Sequence, residues 1–500
     1  RKKLSGVEDG AKRYNTQVFE YDDLYRLTQA QYPSLDGKKS DTVNYRYDRI
    51  GNMLSQVSSI TEEGSNGIPV ANLGTMISGG TKGSWNRKER GNQPGPHAVT
   101  SVGTRQFTYD GNGNMTTADG MTYTWDFKDR LVAVEDDTMR AEYVYDYTDR
   151  RIIKRVWQKS EGENAKPAEV YYVNQYFEVR EHNTQTKYIW SGTTRVARVS
   201  ERINEGDQIQ RVRLNAGWNL IASQVSGKFP VLDPNQNPDI SASFWWSGGT
   251  DGNGWSSLTS SKYLNAGATI WVYAKKDISV ALKGSVTSAA LSELNGQSRF
   301  IANILGVPLS IKDSFPADSW IAQYKDQHWE NHLPSVIPVP EDAVVEPGGS
   351  VWVSGGSTEI VLPDIGTQLA YYHQDHLGSS GVTTDAQGNL IEEISYFAFG
   401  GVRNKYAPRG VDEPYQFTQK ERDKESYLNY FEARYQASGL GRFISVDPLL
   451  AYKVNECLED SQKLNLYAYC QNRPMIYVDP SGNDALLNEI SSFKADMSVE

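Results

Sequence analysis

The chain is short of cysteine, of basic charge and of long apolar runs, and each shortage excludes a class of protein. Two cysteines in 500 residues, Cys457 and Cys470, cannot staple a chain of this length, and they lack zinc partners at ligand spacing. The longest apolar runs, such as Ala268 to Ala274, are strand-sized and fall well short of the ~20 residues that span a bilayer. Lys and Arg number 51 against 62 Asp and Glu, and a net charge of −11 provides no basic stripe to replace the counterions of a nucleic acid. No nucleotide loop or serine triad is present, and nothing calls for a cofactor. The chain begins at Arg1 without Met or an apolar leader, and its first residues read like the middle of something, so the export route stays open.

Aromatics and glycine are plentiful. Thirty Tyr, 12 Trp and 14 Phe beside 43 Gly favour strands and turns over helical bundles, and the length suggests about three domains. The expectation is an all-β fold.

Internal repeats organise the first part. Phe19-Glu-Tyr-Asp, Tyr45-Arg-Tyr-Asp, Phe107-Thr-Tyr-Asp, Tyr123-Thr-Trp-Asp and Tyr143-Val-Tyr-Asp share one pattern. After the anchoring aspartates Asp22, Asp48, Asp110, Asp126 and Asp146 come a short polar or Gly stretch, then Arg or Asn and usually an apolar residue. Aromatics two apart share one strand face. The Asp can bond its own backbone and open a turn, with Gly51, Gly111 or Gly113 supplying a positive φ. Each unit therefore reads as a β-hairpin. Stacked hairpins would align tyrosines into ladders, with wet hydroxyls and no ordinary dry core behind the sheet. These units resemble the YD repeats of the rearrangement-hotspot (RHS) family, which includes the toxin-complex C component and the teneurins. That resemblance implies a long β-sheet spiralling into a hollow shell.

From about residue 213 to 364 the Tyr-Asp pattern stops, and eight of the 12 Trp fall in this stretch. Two halves align: Trp246 and Trp255 match Trp320 and Trp329, and Gly267, Trp271 and Leu282 match Gly348, Trp352 and Leu362. Alternating strands such as Thr269-Ile-Trp-Val-Tyr, bounded by Gly turns, give an inserted, internally duplicated small β domain. Two readings compete. The tryptophans either stack on a glycan or cell-surface ligand or anchor the cores of two homologous folds; recurrence in both copies favours the second. Trp245 has no aromatic match and is the better candidate for a surface role. Asp251-Gly-Asn-Gly and Asp110-Gly-Asn-Gly lack the sixth-position Gly and closing Glu of a calcium loop and read as turns.

At Tyr371 the earlier vocabulary returns. His373 and His376 flank Asp375, but strand positions 373 and 376 point to opposite faces and no third ligand lies nearby, so no metal site is expected. Phe417-Thr-Gln-Lys-Glu-Arg-Asp, Asn429-Tyr-Phe-Glu-Ala-Arg-Tyr, Gly441-Arg-Phe-Ile-Ser-Val-Asp-Pro and Tyr477-Val-Asp-Pro-Ser-Gly follow. Residues 371–482 resemble the RHS repeat-associated core domain. In toxin-related members two Asp-Pro elements supply aspartates that cut the chain just downstream. The matching residues here are Asp447 and Asp479, with Arg442 the candidate to tune them. Two carboxylates brought together suit a shared acid and base role; their alternative role is to shape Asp-Pro turns. The sequence departs from the family pattern at Leu450, in a 28-residue gap before Asp479 with an insert around Tyr452 to Ser461, at Asn483, and in Arg434-Tyr-Gln-Ala-Ser.

The expected organisation is a YD-repeat shell segment over 1–212, the inserted Trp-rich domain over 213–364, the core domain over 365–482, and the start of a variable tail over 483–500. The tail has a short amphipathic helical pattern from Ala485 to Phe493. The resemblance implies the C-terminal part of a bacterial, secreted or cell-surface shell that encapsulates its own C-terminal effector, with other shell or secretion components as partners. Aspartate-dependent self-cleavage is the single enzymatic activity considered. The alternative is an adhesion or carbohydrate-binding protein that uses the inserted domain.

Overall fold

The computed structural model describes residues 3–5, 12–14, 17–33, 40–60, 70–79, 94–161, 166–181, 184–202, 206–248, 254–286, 298–305, 308–340, 343–356, 360, 368–407, 411–448, 461–483 and 486–487. The fold is all-β, built almost wholly of antiparallel hairpins. Two compact units emerge. The first comprises Arg1–Ile152, Ser191–Val196 and Tyr371–Glu500, and the second Ile153–Trp190 and Ala197–Ala370.

In the first unit, the strands from Val18–Tyr21 to Arg105–Gln106 form a seven-stranded sheet in chain order. Those from Thr108–Tyr109 to Met139–Tyr145 also pair consecutively. One turn recurs at all five motif aspartates and again at Asp375 and Asp385. The Asp Oδ1 accepts from the backbone N–H two and four residues on, at 2.8–3.1 Å throughout. The residue three after each Asp has a positive φ: Tyr25, Gly51, Gly113, Asp129, Asp149, Gly378 and Gly388. This is a three-residue hairpin loop whose left-handed residue makes a bulge. Gly51 and Gly113 play the part expected of them. Gly111, directly after its Asp, stands where a right-handed conformation is needed and has no positive φ.

Neighbouring turns are cross-linked. Asn112 and Asn114 donate to Asp129 Oδ1 at 2.8 and 2.7 Å, and Lys128 and Arg130 reach Asp149 Oδ1 at 2.9 and 2.7 Å. The histidines beside Asp375 serve separate neighbours, His373 bonding Thr384 Oγ1 and His376 the Met475 carbonyl.

The tyrosine face is dry, contrary to the expectation of wet hydroxyls. Tyr32, Tyr45, Tyr109 and Tyr143 are buried against rings of the later segment: Phe397, Phe399, Tyr467 and Tyr435, at centroid distances of 5.3, 5.4, 6.0 and 5.5 Å. Two of the hydroxyls bond the main chain, and Tyr143 Oη donates to Glu425 Oε1 at 3.4 Å. Tyr32 Oη accepts from Ala398 N, and Tyr109 Oη donates to the Val99 carbonyl. Burial pushes the Tyr109 hydroxyl up to about 12.

Arg151 fixes this packing electrostatically. Its guanidinium, side chain 1% exposed, pairs with Asp423 at 2.6 Å and Glu421 at 2.7 Å and lies 4.1 Å from the centre of the Tyr430 ring.

In the second unit, Asp207–Leu214 pairs with Ile278–Ser285. Two four-stranded sheets follow with the same topology, the first holding Gly217–Ala222, Thr269–Ala274, Ile240–Trp246 and Trp255–Ser257 in that order. The second holds Arg299–Ala302, Ser350–Gly355, Ser319–Lys325 and His328–His332. The duplication extends to single bonds: Ser223 N donates to the Ala268 carbonyl and Asn303 N to the Gly349 carbonyl, both at 2.9 Å. Each sheet buries one aliphatic face, around Ile270 and Val272 in the first and Ile321 and Val351 in the second. The matched tryptophans are not in these cores. Period-two alternation puts Trp271 and Trp352 on the opposite faces, correcting the core-anchor reading. Trp245 is corrected in the other direction, since a register shift after Ile240 turns it onto the first aliphatic core.

Replacing Asp126 by Ala is expected to cost about 2 kcal/mol, and by Asn less, because only Ala removes every acceptor in its turn. Burial opposes the charge of Asp126, but hydrogen bonds and the Arg130 cation hold its carboxyl below the usual value. Its contribution is therefore present above the ordinary carboxylate pKa and lost as pH falls through the folded value, which urea melts at several pH values would detect. Arg151→Met should cost about 3–5 kcal/mol by stranding two buried carboxylates, and added Glu421→Gln and Asp423→Asn changes should recover part of it.

Candidate acid pair at Asp447 and Asp479

Asp479 follows the short strand Tyr477–Val478, and Asp447 follows Arg442–Phe443 through a stretch whose Asp447 N donates to the Leu466 carbonyl at 3.0 Å. Arg434, which opens the strand Arg434–Ala437, brings the two together. Its Nη2 lies 2.7 Å from Asp447 Oδ2 and 3.4 Å from Asp479 Oδ2. The two carboxylates thus share one guanidinium nitrogen. Arg434 Nη1 donates to the Leu466 carbonyl at 3.0 Å, its Nε donates to the Gly482 carbonyl, and its guanidinium lies 3.7 Å from the centre of the Phe443 ring.

The pair is asymmetric. Asp479 is 2% exposed, and burial raises its carboxyl above the usual range; Arg434, the Gly482 and Ser481 N–H groups and Lys420 offset this in part. Asp447 has the closer contact with the cation and a side chain 16% exposed. The two carboxyls therefore sit in unlike environments, one buried and held toward its neutral form, the other ion-paired and partly exposed.

The chain after Asp479 is held against this group. Asp479 Oδ1 accepts from Gly482 N at 2.7 Å and from Ser481 N at 3.3 Å. Gly482 adopts a φ of +75°, and an added Cβ would lie 2.1 Å from the Phe431 carbonyl oxygen, so the Asp-Pro-Ser-Gly turn requires this glycine. Asn483 comes next, with its Oδ1 out of solvent and unpartnered among the described residues. Leu450, the insert from Tyr452 to Asp460, the Asp251 turn and most of the tail helix pattern lie outside the described residues.

Arg442, the expected tuning residue, points elsewhere. It donates to the His97 carbonyl at 2.7 Å and lies 5.3 Å from the centre of the Tyr467 ring. Arg434 was visible in the sequence as part of an Arg-Tyr motif, but its position on an adjacent strand is a matter of folding, not spacing. Cys470 is free and buried, and burial together with Asp479 pushes its thiol well above the usual range, which rules out a ready thiolate nucleophile. Among the described residues no group of three His, Cys, Asp or Glu side chains is arranged to hold a metal.

No protein-family model matches the chain. Toxin subunit YenC1 of Yersinia entomophaga is 29% identical over 163 residues, 32% of this chain and 15% of that protein. Toxin protein Tse5 of Pseudomonas aeruginosa is 30% identical over 135 residues, 27% of this chain and 9% of that protein. A crystal structure of TcdB2-TccC3-Cdc42 aligns with 93% of this chain and 15% of its own at 17% identity and a TM-score of 0.44. The chain is thus a relative of the RHS/YD-repeat toxin proteins, toxin-complex subunits among them. It spans 15% or less of the length of each protein named.

Because the Asp479 carboxyl is raised, its contribution to stability is full below the unfolded value and declines as pH rises through the folded one. Asp479→Asn is always neutral, so it should flatten the dependence of Tm on pH above about 4, the ordinary carboxylate value, relative to wild type.

Proposed function

We propose that this chain is part of an RHS-type β-shell that encloses a C-terminal toxin or effector and frees it by cutting its own main chain after Asn483. The observation that carries this reading is the shared guanidinium. Arg434 contacts Asp447, Asp479 and the Gly482 carbonyl, which puts the residues leading to Asn483 beside an acid and a base. Asp447 takes a proton from water, and the resulting hydroxide adds to the Asn483 carbonyl carbon. Asp479 gives its proton to the departing amide nitrogen, the C–N bond breaks, and a carboxyl forms at Asn483 with a new amino terminus at Asp484. Arg434 keeps the Gly482 carbonyl in place while this happens, which is a positioning role. Related toxin subunits support delivery outside the producing cell, with the effector and further shell or secretion components as partners.

Intact-mass spectrometry of the 56.0 kDa chain, folded under native conditions, tests the reading. Wild type should lose the 17 residues after Asn483, while Asp447→Asn and Asp479→Asn should each slow the cut by at least about 10²-fold. A wild-type chain that stays whole, or variants that cut at the wild-type rate, would sink the self-cleavage proposal.

A further inference from the structure

The duplicated sheets turn their aromatic faces toward each other. Trp246 meets Phe300 at 5.2 Å and Trp352 at 5.7 Å, and Trp271 meets Tyr324 at 4.7 Å and Trp329 at 6.1 Å. The copies are locked in this relation by main-chain bonds. Ala222 N donates to the Gly348 carbonyl at 2.6 Å, and the Gln327 amide both accepts from Trp218 N at 3.0 Å and donates to the Trp218 carbonyl at 2.8 Å. Thr269 and Ser350 hydroxyls bond across the joint at 2.8 Å.

Two clefts remain between the rings. One, of about 320 Å³, is walled by Trp255, Trp271, Trp320, Trp329, Trp352 and Phe300, with Asn331 as its polar group. The other, of about 470 Å³, adds Trp218, Phe244 and Tyr324 and shares Trp255 and Trp271 with the first. Shared walls make them neighbours along one groove. Trp320 and Trp329 remain 43% and 42% exposed at its rim.

We propose that this groove binds a neutral oligosaccharide, with at least two adjacent sites for pyranose rings. This goes beyond the shell reading and does not rest on it. The lining contains no charged side chain, so it offers no counterion to a phosphate, carboxylate or ammonium head. Its polar groups are donors. Trp320 Nε1 donates to Asn331 Oδ1 at 3.1 Å, which fixes the amide orientation and leaves the Asn331 N–H groups for a ligand. The indole N–H groups of Trp255, Trp271, Trp329 and Trp352 belong to the same groove wall. The ring faces attract a cation, but these donors would be left unsatisfied by a quaternary ammonium, which has no acceptor, and by a purely aliphatic guest. A sugar ring meets both demands, because its C–H face packs on indole and its hydroxyls accept from N–H groups.

Calorimetric titration of the whole chain with hexa-N-acetylchitohexaose, cellohexaose and maltohexaose tests this, with choline chloride as the cationic comparison. Saturable heat is expected with at least one hexasaccharide and none with choline. Trp329→Ala should weaken that binding about tenfold or more, while Trp329→Tyr, which keeps a stacking face, retains most of it. An unchanged urea midpoint shows that the variants are folded. Silence with all three sugars, binding of choline alone, or undiminished sugar binding by a Trp320→Ala/Trp329→Ala variant would each overturn the proposal.

Discussion

A single carboxylate oxygen that accepts two backbone N–H groups is the constraint from which the first unit follows. Each motif Asp closes its own hairpin and forces a left-handed residue three positions later. The resulting bulge fixes strand register, and register decides which aromatics face the interior. An Asp-x-x-Gly turn shifted by one residue would send Tyr45 or Tyr109 to solvent. Instead the repeats present a row of tyrosines that the later segment covers with its own rings.

Burying that face leaves polar groups to satisfy, and two arginines meet much of the demand. Arg151 offsets the charge of Glu421 and Asp423, while Arg434 does the same for Asp447 and Asp479. The two sites differ in their consequences. Around Arg151 the carboxylates are fully enclosed, at 2% and 0% exposure, and the cluster is architectural. Around Arg434 one carboxyl is buried and the other is partly exposed, and the Gly482 turn is hydrogen-bonded to Asp479, so the same ion pairing here leaves two unlike carboxyls beside the main chain. Repeats support the site directly: Asn465 Nδ2 donates to the Gly51 carbonyl at 2.7 Å and Tyr467 Oη to the Gly113 carbonyl at 2.6 Å.

Much of this was legible in the sequence, and the remainder was hidden for identifiable reasons. Aromatic-x-aromatic-Asp announces both strand and turn, so the hairpins and the duplicated Trp-rich sheets could be read locally. Asp447 and Asp479 could be named because their motifs are contiguous. The fate of the tyrosine hydroxyls could not, since it depends on a segment more than 200 residues away in the chain. Left-handed Tyr25, Asp129 and Asp149 carry no glycine signal, and the sequence pointed to Arg442 where folding delivers Arg434. Trp245 shows how one register shift sets the facing of a residue, turning it onto the aliphatic core while Trp246 beside it joins the aromatic face.

In the first unit the repeats and the later segment are expected to unfold as one cooperative body that holds the acid pair. Hydrogen exchange read by mass spectrometry across a urea series addresses it most directly. Ser40–Tyr47 and Met139–Tyr145 should lose protection at the same urea concentration as Asn429–Phe431 and Arg434–Ala437. Loss of protection around Arg434 at a urea concentration where the repeat strands remain closed would contradict it.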